Sequence, residues 1–170
     1  IAGIGATAAG AVSFAMAIYD AANPEPVPVI AAGEPIDTGR WIVTDHEARV
    51  GTAPPNGITP PRPAVFVMVE FDAENRGAES AFVSQNLFTL TSPAPEMEME
   101  MEMPDMYLMR DVALAGTLNP AMPERLVATW EWPRDVPPPD DIRLVVNSQI
   151  YKRRDNLYGA SGWFDGEPAG

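Results

Sequence analysis

The feature that most constrains this fold is an apolar alternation with period two, interrupted at short intervals by some of the chain's 19 prolines. Residues 64–75 (AVFVMVEFDAEN) show it most clearly, because the odd-numbered side chains from Val65 to Ala73 are apolar and share one face of an extended chain. The even-numbered side chains change along the run from apolar to acidic. This pattern predicts a β-strand with one buried face and one face that is partly exposed.

Shorter runs of the same kind predict further strands at residues 40–44, 81–91, 107–114, 125–132 and 142–151. Turns rich in proline, glycine and asparagine separate them, and no run of ten residues from Gly39 onward shows a helical pattern. We therefore predict a mainly β fold, an antiparallel immunoglobulin-like sandwich over residues 38–151. A single transmembrane helix is predicted to precede it.

That helix is predicted from residues 1–19, which contain no charged side chain and no proline. As a helix they would be about 28 Å long, close to the hydrocarbon thickness of a bilayer. A cleaved signal peptide or a buried soluble helix would also be uncharged, but the first normally has a basic start. The second needs partners around its whole circumference.

Small residues recur every four positions in this segment, at Gly3, Thr7, Ala11 and Ala15. Such a row lets two helices approach closely in lipid, so we expect these residues to pack on another helix. A high alanine content produces similar rows by chance, and the sequence leaves both explanations open.

Residues 20–37 are predicted to be an extended linker, because alternate prolines from Pro24 to Pro28 favour polyproline II. Four acidic residues and no basic one lie between Tyr19 and Arg40. Basic flanks of a membrane helix tend to stay in the cytoplasm, and this flank has no basic residue. We therefore expect the rest of the chain on the other side of a bacterial inner membrane, in the periplasm.

Composition narrows the possible functions. The chain has 24 acidic and 11 basic residues and a formal net charge of −13, so nucleic acid is not an expected partner. Without cysteine it has no thiolate metal site or thiol nucleophile, and its one histidine, His46, can supply only one member of a catalytic triad. His46 stands between Asp45 and Glu47 in a predicted solvated loop. We expect no cofactor and no enzymatic activity.

Two motifs resemble a known family. Residues 66–75 (FVMVEFDAEN) form a strand that ends in Asn75, and a proline–acid turn precedes a strand that ends in Pro133. In these motifs, over residues 38–151, the chain is similar to membrane-tethered or secreted immunoglobulin-like domains of unknown function in bacteria. Its turn carries Pro123 and Glu124 where those domains commonly have glycine. The resemblance implies a sandwich and no activity, so it assigns no functional residue.

Residues 95–109 are predicted to be an insertion in the sandwich, because they contain a strict alternation of methionine and glutamate. On an extended chain Met97, Met99, Met101 and Met103 share one face. Three roles are open for these methionines: docking on a partner together with Met106 and Met109, binding Cu(I) at the first four, or capping the domain's own core. Alternate side chains on a straight strand lie about 6.6 Å apart, which disfavours one shared ion.

Residues 152–170 are predicted to be an aromatic tail without strand periodicity, beginning with the basic residues Lys152, Arg153 and Arg154. Aromatic side chains are costly to expose, so Tyr158, Trp163 and Phe164 are expected to dock on the domain or on another subunit.

Together these features predict a non-catalytic, single-pass accessory subunit of a larger inner-membrane complex. Its expected partners are integral-membrane subunits, with the lipid bilayer around the first helix. The alternative is a tethered periplasmic binding module or copper chaperone that uses the methionine run.

Overall fold

The computed structural model describes residues 27–91, 103–134, 136–137, 142–157 and 159–170. These residues form two antiparallel sheets packed face to face and a separate two-stranded pair, with no α-helix among them, so this part of the chain is a β-sandwich. The predicted membrane helix, including Gly3, Thr7, Ala11 and Ala15, and the first part of the predicted linker lie outside the described residues.

The first sheet has five strands in the order β1-β2-β3-β8-β6. Their bounds are β1 Ile36–Asp37, β2 Trp41–Gly51, β3 Val65–Asn75, β8 Glu124–Trp132 and β6 Asp105–Leu108. The central strand, β3, pairs along almost its whole length with β2 on one side and β8 on the other. Its long alternating sequence is therefore the backbone of this sheet.

The second sheet has three strands in the order β10-β9-β5, namely Gly162–Pro168, Arg143–Lys152 and Phe88–Thr91. A separate two-stranded pair is formed by β4 (Ala81–Phe82) and β7 (Thr117–Leu118). A single 3₁₀ turn, Gln85–Leu87, leads from β4 into β5 and is capped by Ser84, whose Oγ accepts from the Asn86 N–H.

The core lies between the two sheets. Val67, Val69 and Phe71 of β3 face it, as the alternation predicts, and the ring of Phe71 meets Phe88 of the second sheet edge-on at 4.6 Å. Burial of these side chains supplies the main driving force for folding. A smaller cluster of Phe66, Met68, Val127 and Ala64 lies apart from this core, so β3 buries apolar side chains on both faces near its start.

The sheets are joined at the turn between β1 and β2. The Gln149 N–H in β9 donates to the Thr38 carbonyl at 2.6 Å, and Trp41 Nε1 donates to Gln149 Oε1 at 3.2 Å. Thr38 and Trp41 are both fully buried, so their polar groups cannot bond to water and form hydrogen bonds with Gln149 instead. We call this set of contacts the Gln149 junction.

Asn75, the residue that ends β3, fastens the loops beyond that strand. Its amide nitrogen donates to the carbonyls of Glu79 (2.9 Å) and Leu118 (3.0 Å), and its side-chain oxygen accepts from the Gly77 N–H at 2.8 Å. Because Asn75 is buried, a residue unable to make these bonds would leave two carbonyls and one N–H without partners.

Several predicted boundaries differ from the structure, among them the end of β2, which lies at Gly51 and not at residue 44. Ile36–Asp37, expected in the linker, is β1, because Ile36 packs into the core opposite Val43. Asp105–Leu108, expected in the insertion, is β6 and pairs with β8. Gly162–Pro168, expected in an aperiodic tail, is β10 and pairs with β9. The predicted strands at 81–91 and 107–114 are also wrong in extent, since a 3₁₀ turn interrupts the first and the second begins earlier and ends at Leu108.

Replacing Gly39 with alanine should break the Gln149 junction. Gly39 has φ of +88°, and an added Cβ would overlap the Gln149 carbonyl oxygen. Gly57 is the matched control, because its φ is +71° but nothing lies within 4 Å of the added atom. We expect G57A to lose about 1 kcal/mol of unfolding free energy, from backbone strain alone, and G39A to lose about 2–4 kcal/mol. Urea unfolding followed by tryptophan fluorescence measures both; equal losses would mean that the close approach is not needed.

Candidate functional site

A network of charged side chains crosses three strands of the first sheet on the face that carries Glu70 and Asp72 of β3. It joins them to His46 on β2 and Arg125 on β8. Arg125 forms a bidentate pair with Asp72, through Nε to Oδ1 at 2.8 Å and Nη2 to Oδ2 at 3.1 Å. Its Nη1 also donates to Glu70 Oε1 at 3.2 Å. We call these four residues the charged network.

His46 reaches this network because β2 has a bulge. The register of β2 on β3 shifts between Asp45 and Glu47, so His46 is the extra residue and lies in a strand, not in the expected loop. Its Nε2 is 2.8 Å from Asp72 Oδ2 and 3.0 Å from Arg125 Nη2. A protonated Nε2 donates to the carboxylate, whereas an unprotonated Nε2 accepts from the guanidinium.

Within the network, Asp72 and Arg125 stabilise each other's charged forms. Hydrogen bonds from Arg125 are the largest cause that lowers the pKa of Asp72. Burial opposes them, and the contact with His46 makes a smaller contribution that again lowers the pKa. The bond to Asp72 in turn raises the pKa of Arg125. Asp72 is thus held as a carboxylate with both oxygens occupied, and the arrangement acts as a cross-strand clamp on β2, β3 and β8.

A second feature is an apolar depression beside β4, which we call the β4 depression. It has a volume of about 460 Å³ and is lined by Phe82, Val83, Gln85, Met106, Leu114 and Ala115, among others. Phe82 and Leu114 are 68% and 63% exposed, although both are large apolar side chains. Exposed side chains of this kind around a concavity are typical of a surface that another molecule covers.

The structure separates the methionines that the sequence groups together. Met106 is buried in the core, so it lines the floor of the β4 depression and is not a free docking side chain. Met109 is half-buried against the Phe66 cluster, and Met103 is 63% exposed. Met97, Met99 and Met101 lie outside the described residues, so both the docking and the Cu(I) predictions for them stay predictions.

The aromatic residues of the predicted tail lie on β10, with the exception of Tyr158, which is outside the described residues. Trp163 packs against Tyr151 of β9, with ring centres 5.4 Å apart, and Phe164 lies under the Lys152 ammonium at 5.0 Å. Both therefore contact their own domain, one of the two outcomes expected for them. The ring of Phe164 keeps 37% of its surface exposed.

Sequence reasoning did not single out Phe82, Leu114 or the partners of His46. The sequence gives only a weak indication of Phe82 and Leu114. Both are apolar residues in predicted strands, but in the structure Phe82 ends the short strand β4 and Leu114 lies beyond the end of β6. The sequence does not indicate the partners of His46, because Asp72 and Arg125 are 26 and 79 residues away from it along the chain.

Within the described ranges no cluster of three or more histidine, aspartate or glutamate side chains could hold a metal ion. No helix in that part of the chain is long and apolar enough to span a membrane.

Comparison with known proteins gives one weak structural likeness. No protein family model and no curated protein matches the sequence. Among solved structures, the chain is similar to an uncharacterized β-sandwich protein from Clostridium difficile 630, with 10% identity and a TM-score of 0.48. The match covers 85% of this chain and 99% of the other. The chain thus resembles a β-sandwich protein without an assigned function, and the likeness brings no activity or partner with it.

The charged network predicts a pH-dependent stability. Because the pKa of Asp72 is lowered on folding, its contribution is present above the pKa of an unfolded aspartate and is lost as the pH falls through the folded pKa. We expect D72N to cost at most about 1 kcal/mol at neutral pH, since Asp72 is partly exposed. The difference from the unmodified protein should shrink below about pH 5.

Asp45, which makes no ion pair among the described residues, provides the control D45N with the same change of charge. Urea titrations at several pH values measure both variants. A D72N deficit that stayed constant down to the lowest pH, or an equal deficit in D45N, would contradict the clamp.

Proposed function

We propose that this chain is a non-catalytic, single-pass, membrane-anchored accessory subunit of a larger bacterial inner-membrane complex, with its sandwich domain in the periplasm. The observation that carries the proposal is the β4 depression. It is an apolar concavity whose rim side chains, Phe82 and Leu114, have most of their surface in water. A neighbouring subunit that offers apolar side chains would remove this surface from water and gain free energy in proportion to the area covered.

The place of the depression in the chain supports the same partner. Asp105 and Met106 line it, and Gln85 Nε2 donates to the Pro104 carbonyl at 3.0 Å, which fixes the chain at the rim. The exposed Met103 stands one residue before Pro104, at the end of the methionine run. The exposed Met103 would extend the docking surface beyond the depression, and methionine adapts well to irregular apolar partners.

The finer class of the sandwich is also part of the proposal. In chain order, β2, β3, β5, β6, β8, β9 and β10 supply seven strands that would correspond to strands A to G of an immunoglobulin constant-type domain. Their arrangement as β2-β3-β8-β6 and β5-β9-β10 supports this, because the immunoglobulin order is ABED on one sheet and CFG on the other. Folds of this kind serve many functions, so the docking surface carries the functional argument.

Anchorage rests on residues 1–19, which are uncharged and long enough to cross a bilayer. The acidic flank before Arg40 supports a periplasmic domain. An anchored subunit meets its partners in two dimensions, so a modest docking surface would suffice to hold it in a complex.

The proposal predicts which substitutions release the partner. The full-length chain is purified in mild detergent, and the proteins that travel with it through size exclusion are identified by mass spectrometry. We expect an integral-membrane protein at stoichiometric level. F82D combined with L114D should reduce it by at least about tenfold, because the new carboxylates would have to lose water against an apolar partner.

I58D is the matched control, because Ile58 is 66% exposed and does not line the depression. Its partner should be retained. Circular dichroism confirms that each variant is folded. A monomer with nothing at stoichiometric level would contradict the proposed function, and equal loss in the control would remove the β4 depression from it.

A further inference from the structure

A groove with a different chemistry lies at the Gln149 junction. It has a volume of about 440 Å³. One wall comes from Arg40, just before β2, and Arg76, just after β3; the other comes from Tyr151, Ser161 and Trp163 of the β9–β10 hairpin. We call it the arginine groove. It shares no lining residue with the β4 depression.

Arg40 is held in this groove by aromatic rings. Its guanidinium carbon lies 5.5 Å from the ring centre of Trp163 and 5.8 Å from that of Trp41. Its Nε is buried without any hydrogen-bond acceptor, and burial lowers the pKa of Arg40. A guanidinium with one N–H buried and no acceptor for it retains a strong attraction for an incoming anion.

Arg76 stands beside Arg40 for a structural reason. Its N–H donates to the Arg40 carbonyl at 2.8 Å, so the two side chains leave from hydrogen-bonded neighbours. Neither arginine is among the ion pairs of the described residues, although Glu79 also lines the groove. Two unpaired guanidinium groups are therefore available at one site.

The surrounding charge points the same way. Lys152 is the cross-strand partner of Gly162 on the groove wall, and Arg153 and Arg154 follow it. Three consecutive basic residues thus follow the groove-lining Tyr151 along the chain, in a protein with a net charge of −13. Such a concentration steers an acidic ligand to one place on an otherwise acidic molecule.

We propose that the arginine groove binds an acidic segment of a partner polypeptide. Side-chain carboxylates of that segment would pair with the Arg40 and Arg76 guanidinium groups, and its methylene groups would pack on Tyr151 and Trp163. The volume suits a few residues of an extended chain. A flat anionic lipid surface fits less well, because Arg40 is recessed between two rings and does not protrude toward a plane.

The test is calorimetric titration of the full-length chain in detergent with three probes: a glutamate octapeptide, a glutamine octapeptide and soluble glycerophosphoserine. We expect the glutamate peptide alone to bind, with a change in the emission of Trp163, since the other three tryptophans are buried. R76E should weaken binding at least tenfold, that is by about 1.4 kcal/mol or more. Because Arg76 is exposed, this variant is expected to fold.

R62E is the matched control, with the same change in net charge at an exposed arginine outside the groove. Its affinity should stay within about twofold of the unmodified protein. Equal weakening in R62E and R76E would mean that the peptide is attracted by the overall charge of the protein and not by a specific site. Preferential binding of glycerophosphoserine would identify a lipid headgroup as the ligand instead. Either result, or no binding of the glutamate peptide, overturns the proposal. None of these results bears on partner loss through the β4 depression, so the two proposals fail independently.

Discussion

The rest of this structure depends on the Gln149 junction, where a turn of the first sheet meets the second sheet. A sandwich needs its two sheets held at a fixed separation and angle, and here the Trp41 indole and the Thr38 carbonyl both bond to Gln149. The turn can approach so closely because Gly39 has a left-handed backbone and no side chain. The core between Phe71 and Phe88 and the walls of the arginine groove are both placed by this contact.

The surfaces follow from alternation along the strands. Residues of β3 that face the second sheet are apolar, whereas the opposite side carries the small Phe66 cluster first and then the charged network. The bulge at His46 adds one residue to β2, which brings that side chain onto Asp72. The bulge therefore brings His46 into the charged network, which links β2, β3 and β8.

The sequence predicts three of the four long strands well and the short ones poorly. The fourth, β2, is predicted only over residues 40–44 but continues to Gly51, because the bulge at His46 breaks its alternation. The runs at 64–75, 125–132 and 142–151 lie within one residue of β3, β8 and β9 at each end, because period-two burial leaves a strong pattern in ten residues. β10 has no such pattern, since two glycines and a proline occupy it, and β6 is only four residues long. These strands exist because β9 and β8 offer them free edges, which is a property of the assembled sheet.

The candidate sites were harder to predict than the strands. The methionine alternation does not show which of Met103 and Met106 is exposed and which is buried. The pairing of β6 with β8 is what puts Met106 in the core. Arg40 and Trp163 are more than a hundred residues apart, and their contact arises from the order of the sheets. Sites that depend on register and topology are thus invisible to local patterns.

Hydrogen exchange at the Trp41 indole, followed by NMR, tests this account most directly. If the Gln149 junction holds the sheets together, the indole N–H of Trp41 and the amide of Gln149 should exchange only by global unfolding, as slowly as the Val69 amide in the centre of β3. The indole of Trp163, at the half-buried wall of the groove, should exchange much faster. Exchange of Trp41 as fast as that of Trp163, while Val69 stays protected, would show that the sheets part without unfolding and would contradict the account.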